Sequence, residues 1–293
     1  MNDFIISIKE VKKLKILLTG GSGLVGSTLV PLLREKHEIV HFDFRAPNDG
    51  LPWIQGDLRD SNAIDKACRS VDAIIHIAAL HGKAWKETGD DVGFDVNVTG
   101  TKNVLEAAVK NGLKRFVFTS SIRATGHFSF TAKYYPIDET KQCEPINLYG
   151  LTKKLGEQMC SYYSNKYRLS TICLRPGVIL TDVDTDRRWK LLFNGVDIRD
   201  VAKAHLLALE SDKNIKHEVF NITADSKLSK ISFDKFKSNP FAVLENLYPG
   251  INKLLSENQK IIFSKQEWYT IEKARSILGY NPEHNFRING RQS

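Results

Sequence analysis

Short apolar runs alternate along the chain with longer segments in which apolar positions recur at helical spacing. The first run ends at Leu17-Leu18-Thr19, breaks into Gly20-Gly21-Ser22-Gly23, and resumes as a helix-period segment from Leu24 to about Glu35. Glu38 to Asp43 then predicts a second buried strand, Trp53 to Gly56 a short third, a helix begins near Ser61, and Asp72 to Ala79 predicts a fourth strand. A helix pattern from about Val92 to Asn111 leads into a strand at Arg115 to Ser121, and another helix opens at Tyr149 and runs to about Tyr167. Strands alternating with helices at this pace predict an α/β protein with a doubly wound, parallel sheet.

Composition places the chain in the ordinary globular range: 293 residues, 42% hydrophobic and 26% charged, enough for one large domain or one domain plus a small appendage. No stretch reaches the roughly 20 apolar residues of a membrane span, so no membrane association is expected. Residues 1–13 read as an N-terminal extension in which short apolar pieces are broken by Asp3, Glu10 and three lysines, without the apolar run of a signal peptide. The four cysteines, Cys68, Cys143, Cys160 and Cys173, are scattered without metal-ligand spacing, which fits buried thiols in a cytoplasmic protein and no metal site. The net charge is +8, yet no Lys/Arg block exceeds a pair and acids are interleaved, so a solvated lysine-rich surface is expected rather than a nucleic-acid face.

The chemistry gathers at strand ends. Gly20 would permit a tight turn, Gly23 would let the backbone approach a pyrophosphate, and Gly26 would let the next helix pack close to its strand. Free N–H groups at Leu24 and Val25, with the helix dipole behind them, make an anion seat. Asp43 lies 17 residues beyond Gly26, at a strand end, where a carboxylate accepts hydrogen bonds from adenosine ribose hydroxyls. Its charge would repel a 2′-phosphate, so NAD is favoured over NADP, although nearby Arg45 leaves room for NADP. Ala78 and Ala79 are small where a strand end would face the cofactor, and His76 reads as a core histidine. The run Thr119-Ser120-Ser121 puts hydroxyls at a strand's carboxyl end, where open α/β sheets bind ligands. Tyr149 and Lys153, at i and i+4, share a helix face, and the ammonium is expected to lower the phenol's pKa so that it can take a proton from a carbinol.

These residues, in this order, resemble the extended short-chain dehydrogenase/reductase family in its NAD-dependent epimerase/dehydratase branch. The resemblance covers Lys15 to Arg175 and returns at Asp197 to Ala202, Val219 to Ile222 and Ala274 to Pro282. It implies a Rossmann fold with a seven-stranded parallel sheet and a small C-terminal substrate-binding lobe. The implied organisation is an NAD-binding domain over 14–175 and a lobe over 176–293, with 197–222 returning to the sheet. The family's glycine motif falls on Gly20, Gly23 and Gly26, its ribose acid on Asp43, its adenine-contacting pair on Asp57 and Leu58, and its Asn on Asn97. Ala78, Ala79 and Thr119 fall beside the cofactor, and Arg175-Pro176 matches the turn beside the nicotinamide. The catalytic hydroxyl falls on Ser121, with Ser120 as the alternative; Tyr149 is the base, and Lys153 would also hold the nicotinamide ribose.

Two departures bear on function. Family dehydratases carry an Asp-Glu pair directly after the catalytic hydroxyl, whereas this chain has Ile122 and Arg123, which argues against dehydration. Only 21 residues separate Pro176 from Ile198, where nucleotide-sugar enzymes of the family carry a longer segment, so a smaller substrate is implied. Arg123, and Arg187 within the shortened segment, are candidate clamps for a carboxylate or phosphate. His81, in the loop after the fourth strand, is a candidate cover for the substrate.

The expected activity is an NAD-dependent oxidoreductase or epimerase acting on a secondary alcohol of a sugar or nucleotide-sugar through Ser121, Tyr149 and Lys153. The alternatives are a dehydrogenase of a small free sugar, uronate or polyol, and a non-catalytic NAD(P)-binding sensor or scaffold. The resemblance also implies a homodimer through the helices around Val92 to Asn111 and Tyr149 to Tyr167.

Overall fold

The structure is a computed structural model describing residues 13–126, 135–256, 259–260, 263 and 266–288. All but the last residue of the 1–13 extension lies outside the described residues. Strand β1 (Lys15–Thr19) buries Ile16, Leu17 and Leu18 completely, because a strand in a sheet covered on both faces has no solvent side. Burying each such side chain stabilises the fold by about 1.5–3 kcal/mol. The remaining strands are β2 (Glu38–Asp43), β3 (Trp53–Gln55), β4 (Ala73–His76), β5 (Arg115–Thr119), β6 (Ser170–Pro176), β7 (Val178–Leu180), β8 (Gly195–Asp197) and β9 (His217–Ile222). Seven of them form one parallel sheet in the order β3-β2-β1-β4-β5-β6-β9, with β7 and β8 paired separately. The chain winds outward from β1 to one edge and from β4 to the other, so the carboxyl ends of β1 and β4 flank a crevice.

The pleat sorts the core. Ile16, Leu18, Ile75, Val117, Ile172 and Phe220 face one layer, made by helix α1 (Leu24–Arg34) and a long helix at Ile198–Glu210. Leu17, Ile74, Phe116, Phe118 and Cys173 face the other. That second layer contains α2 (Ser61–Cys68), whose start is capped by the Asp60 carboxylate. Beyond β4 come α3 (Gly82–Thr88), α4 (Asp90–Phe94), α5 (Gly100–Lys110) and α6 (Leu148–Tyr167). With Ile198–Glu210 as α7, the lobe adds α8 (Phe233–Ser238) and α9 (Pro240–Leu247), and α10 (Glu272–Leu278) follows. Ile271, Ala274, Leu278 and Tyr280 pack against the α1/α7 layer, so a second C-terminal stretch also returns to the sheet.

A third, aromatic core holds the lobe: Tyr135, Phe193, Phe236, Phe263, Trp268 and Tyr269 pack with Ile122, Leu228 and Leu244. Tyr135 stacks on Trp268 with ring centroids 4.3 Å apart. Ile137 is bridged to Tyr269, its N–H donating to the Trp268 carbonyl at 2.9 Å and its carbonyl accepting from Thr270 N–H at 3.0 Å. Lobe and sheet are thus sewn together by segments far apart in sequence.

The stretch Val92 to Asn111, expected as one helix, is α4 and α5 joined by a π turn at Asp95–Thr99. The wider turn inserts Asn97 into the interior, where its amide accepts Leu80 N–H at 2.7 Å and donates to the Leu80 carbonyl at 3.0 Å. Helix α6 begins at Leu148 because the Asn147 side chain accepts the Gly150 N–H at 2.7 Å. That cap fixes where Tyr149 stands in the first turn.

Candidate active site

At the crevice floor, the glycines have distinct duties. Gly20 has φ +77°, and a Cβ there would lie 2.6 Å from the Ala78 nitrogen, so both handedness and close approach exclude a side chain. A Cβ on Gly26 would lie 2.5 Å from the Gly20 carbonyl oxygen, whereas one on Gly23 would meet only that oxygen, at 3.2 Å. Gly20 and Gly26 are therefore required by the protein itself, while the side of Gly23 is left open toward the crevice. Among the described residues no side chain caps the start of α1 and its first turn carries no acid, so there the dipole and N–H groups at Leu24 and Val25 have no anionic partner. Asp43 ends β2 with both oxygens on the backbone, accepting Ser22 N–H and Arg45 N–H, each at 3.0 Å. A cradle that a Cβ would fill, an uncapped helix start and a carboxylate beside them fit the pyrophosphate and adenosine ribose of NAD.

Other expected cofactor residues are placed with mixed results. Ala78 and Ala79 follow β4 and are partly exposed, Ala78 N–H donating to the Thr19 carbonyl at 3.2 Å. The Asp57 carboxylate is gripped by the Arg59 guanidinium, with one contact of 2.6 Å, which lowers its pKa. Leu58 is buried against Gly100. Thr119 turns its hydroxyl to His205, at 2.8 Å, and Pro176 is buried at the end of β6, beside Ile222. His76 is a core residue: its Nδ1 accepts from the Thr19 hydroxyl at 2.7 Å and its Nε2 donates to Thr101 Oγ1 at 3.0 Å, because Thr101 spends its own proton on the Asn97 carbonyl. Burial pushes this imidazole down to about 3, so it stays neutral.

At the reactive end, Ser121 and Tyr149 are brought together. Ser121 caps a short 3-10 turn at Ile122–Ala124, its Oγ accepting Arg123 N–H at 3.1 Å. The Ser121 hydroxyl also lies close enough to the Tyr149 phenol to favour its ionised form. Ser120, the alternative, is turned inward, its hydroxyl donating to Glu157 Oε1 at 2.5 Å. Burial pushes the Tyr149 phenol up to about 12, opposed by the Ser121 hydroxyl and the Arg123 charge. The charge that opposes burial at the phenol is that of Arg123. Lys153 is 3% exposed, burial pushes it down to about 8 against the pull of Glu157, and its Nζ donates to the Thr119 carbonyl at 2.7 Å. Its ammonium stands 5.9 Å from the centre of the Tyr149 ring.

Two charges behind this pair escaped the sequence reading. Glu157, a further turn along α6 from Lys153, accepts the Arg175 Nε and Nη2 protons at 2.7 Å each. Arg175, expected in a turn beside the nicotinamide, instead points into the protein, 4% exposed, and locks α6 to β6. The available signal was spacing: Tyr149, Lys153 and Glu157 recur every four residues, so the acid shares the inward face and needs a cation.

A cleft of about 480 Å³ opens beside Tyr149, lined by His81, Trp85, Lys86, Arg123 and Asn147 among others. The His81 and Trp85 rings stand 6.2 and 6.1 Å from that of Tyr149. Arg187 is not part of this lining: it is surface-exposed and paired with Asp184 Oδ1 at 3.1 Å, because the 3-10 segment Thr185–Leu192 curls back on its own start. Behind Arg123 lies Glu267, 4% exposed, accepting the Tyr269 hydroxyl at 3.1 Å. Burial pushes its carboxyl up to about 8, opposed by Tyr269 and Arg123. Among the described residues its Oε1 has no hydrogen-bond partner. Nothing in the local pattern of Gln266-Glu267-Trp268-Tyr269 marks it, since it reaches Arg123 only through the folding of the lobe.

A glycine turn with an open helix start at a topological crevice of a parallel sheet is the architecture of a nicotinamide-dependent α/β oxidoreductase class. The NAD dependent epimerase/dehydratase family matches residues 16–186, more than half of the chain, and the chain belongs to that family and is an NAD-dependent enzyme. It is 34% identical over 244 residues to an N-acetyl-alpha-D-glucosaminyl-diphospho-ditrans,octacis-undecaprenol 4-epimerase of Escherichia coli O157:H7, covering 81% of this chain and 67% of that protein. To an NAD-dependent glucose-6-phosphate dehydrogenase of Haloferax volcanii it is 25% identical, covering 92% and 93%. Among solved structures, a short-chain dehydrogenase/reductase superfamily protein from Agrobacterium tumefaciens with bound NAD superposes with a TM-score of 0.69 at 25% identity, covering 92% of each chain.

Proposed function

We propose that the protein oxidises and reduces a secondary alcohol of a sugar or sugar derivative, with Tyr149 as proton acceptor and donor. The observation that carries this reading is the approach of Ser121 and Arg123 to the Tyr149 phenol beside the cleft, with Lys153 one turn behind. When bound, NAD supplies the hydride acceptor and donor. The protein's residues handle the proton and the geometry. Ser121 takes its orientation from Arg123 N–H, which leaves the serine proton for the phenol or for the reacting oxygen. The Ser121 hydroxyl and the Arg123 charge are the groups that favour the phenolate, and both act at the oxygen that must accept the carbinol proton. Lys153 and Glu157 hold α6 in place from behind. Gly20, Gly23, Gly26 and Asp43 would hold the pyrophosphate and adenosine ribose. Asp57, Leu58, Ala78, Ala79, Asn97 and Pro176 belong to the same reading as flanking residues.

Net epimerisation follows if the ketone turns and is reduced on its other face before leaving; net dehydrogenation follows if it leaves. The Escherichia coli relative is named for the first outcome and the Haloferax volcanii relative for the second. The short link between β6 and α7, which folds into β7, the 3-10 segment and β8, supports the small-substrate dehydrogenase. A sensor or scaffold without turnover would have no use for the Ser121–Tyr149–Lys153 arrangement. A cytoplasmic homodimer through α5 and α6 completes the reading, supported by the exposed Leu151, Tyr162 and Tyr167 on α6. Among the described residues, no helix is long and apolar enough to cross a membrane.

The test mixes the purified protein with NAD and a panel of free sugars, uronates, sugar phosphates and UDP- or GDP-sugars, following NADH absorbance and product epimers. Tyr149→Phe is expected to lower turnover by about 10²–10⁴-fold with NAD affinity unchanged. Equal turnover by this variant would overturn the assignment of the base.

A further inference from the structure

We propose that Arg123 seats an oxyanion of the substrate, a carboxylate or phosphate carried on the same small molecule whose alcohol faces Tyr149. The proposal rests on the sugar oxidoreductase reading above and specifies what else the sugar carries. Arg123 stands two residues after Ser121 on one tight turn. Ile122 is drawn into the lobe core, 2% exposed, while Arg123 lines the cleft with Tyr149. The Arg123 charge acts on the Tyr149 phenol, and both residues line one cleft of about 480 Å³. An anion that reaches both must sit on a compact molecule rather than across a nucleoside diphosphate.

The surroundings are biased toward anions. Lys86 also lines the cleft. Lys190 is partly buried, and burial together with the charges of Arg187 and Arg123 holds its ammonium below the usual lysine range, so cations converge from two separate segments. Among the described lining residues, Lys86 and Arg123 face one carboxylate, that of Asp90. Glu267, pushed up to about 8, is mostly protonated at neutral pH, and Asp90 on the cleft lining accepts the Trp85 indole N–H at 2.7 Å. A guanidinium in this setting offers a planar pair of donors that matches a carboxylate or phosphate edge.

The test measures binding by calorimetry to the NADH-loaded protein, using glucose, glucuronate, galacturonate and glucose 6-phosphate as probes. At least one charged sugar is expected to bind about tenfold or more tightly than glucose, in keeping with charge-assisted hydrogen bonds. Arg123→Gln should erase that preference while leaving NADH binding unchanged, and Arg123→Lys should keep part of it. The phosphate and carboxylate arms separate the two sources of the anion. Equal affinity for glucose and its charged derivatives, or a preference that survives Arg123→Gln, overturns the proposal. Turnover of a neutral sugar alone, lost in Tyr149→Phe, would overturn the Arg123 proposal and leave the base assigned. Arg123-dependent anion binding with a fully active Tyr149→Phe would sink the base and leave Arg123 standing.

Discussion

The floor of the crevice and the wall facing Tyr149 are made of different materials. The floor, from Gly20 to Gly26, is backbone: three glycines, an uncapped helix start and one carboxylate within a single β-α-β stretch. The wall is side chains from distant segments, Arg123 from the turn after β5 and Trp85 from α3, with Lys190 from the link before β8 and Glu267 from beyond α9 acting on Arg123. A floor of backbone accepts one ligand shape and leaves little to vary. A wall of side chains can be re-specified residue by residue, which suits a family with one cofactor and many substrates.

Substitutions at the two ends should separate this comparison. The largest stability effect is expected at the joint supporting both, the buried Glu157–Arg175 pair. Glu157→Gln would leave a buried guanidinium uncompensated and cost about 3–5 kcal/mol by urea unfolding. A loss near zero would show that the pair does not hold α6 against β6. At the floor, Gly20→Ala meets a left-handed backbone, costing about 1–2 kcal/mol. The close approach to Ala78 adds about 1–3 kcal/mol. Its NAD affinity should fall as well, whereas calorimetry with sugar probes on the folded fraction should change little.

The smallest effect is expected at the wall, and it is a pH effect. Folding raises the Glu267 carboxyl from its ordinary 4.5 to about 8, so the folded state prefers the protonated form. Stability from this group is complete below about pH 4.5 and is lost as pH rises through 8. Glu267→Gln mimics the protonated carboxyl. Its Tm should match the wild type at pH 4.5 and exceed it by about 2–4 °C or more at pH 9. A constant Tm difference across that range would mean that Glu267 titrates alike in the folded and unfolded chain.

The same contrast explains what could be read before the fold was known. The glycine turn after β1, Asp43 at its strand end and the shared helix start of Tyr149 and Lys153 all depend on spacing within one or two elements, and the structure has a turn, a strand end and a helix at those places. The π turn at Asp95–Thr99 could not be read, because it trades local helix geometry for the Asn97–Leu80 contact across the chain. The electrostatics of Lys153 were only partly legible for a related reason. Proximity to the phenol was visible in the sequence, but burial that pushes its own ammonium down to about 8 was not. Arg187 looked like a clamp in the sequence and is a surface pair, since Asp184 lies three residues before it.

The Ile137–Tyr269 bridge has a consequence for the order in which the molecule is made. The floor of the crevice can form once β1, α1, β2 and β4 have left the ribosome, because all its parts are early and local. Glu267 and Tyr269 arrive late, and they reach Arg123 only when their segment pairs with Ile137. For much of its synthesis, the chain is therefore equipped to hold a nucleotide while the face that chooses a substrate is still unfinished.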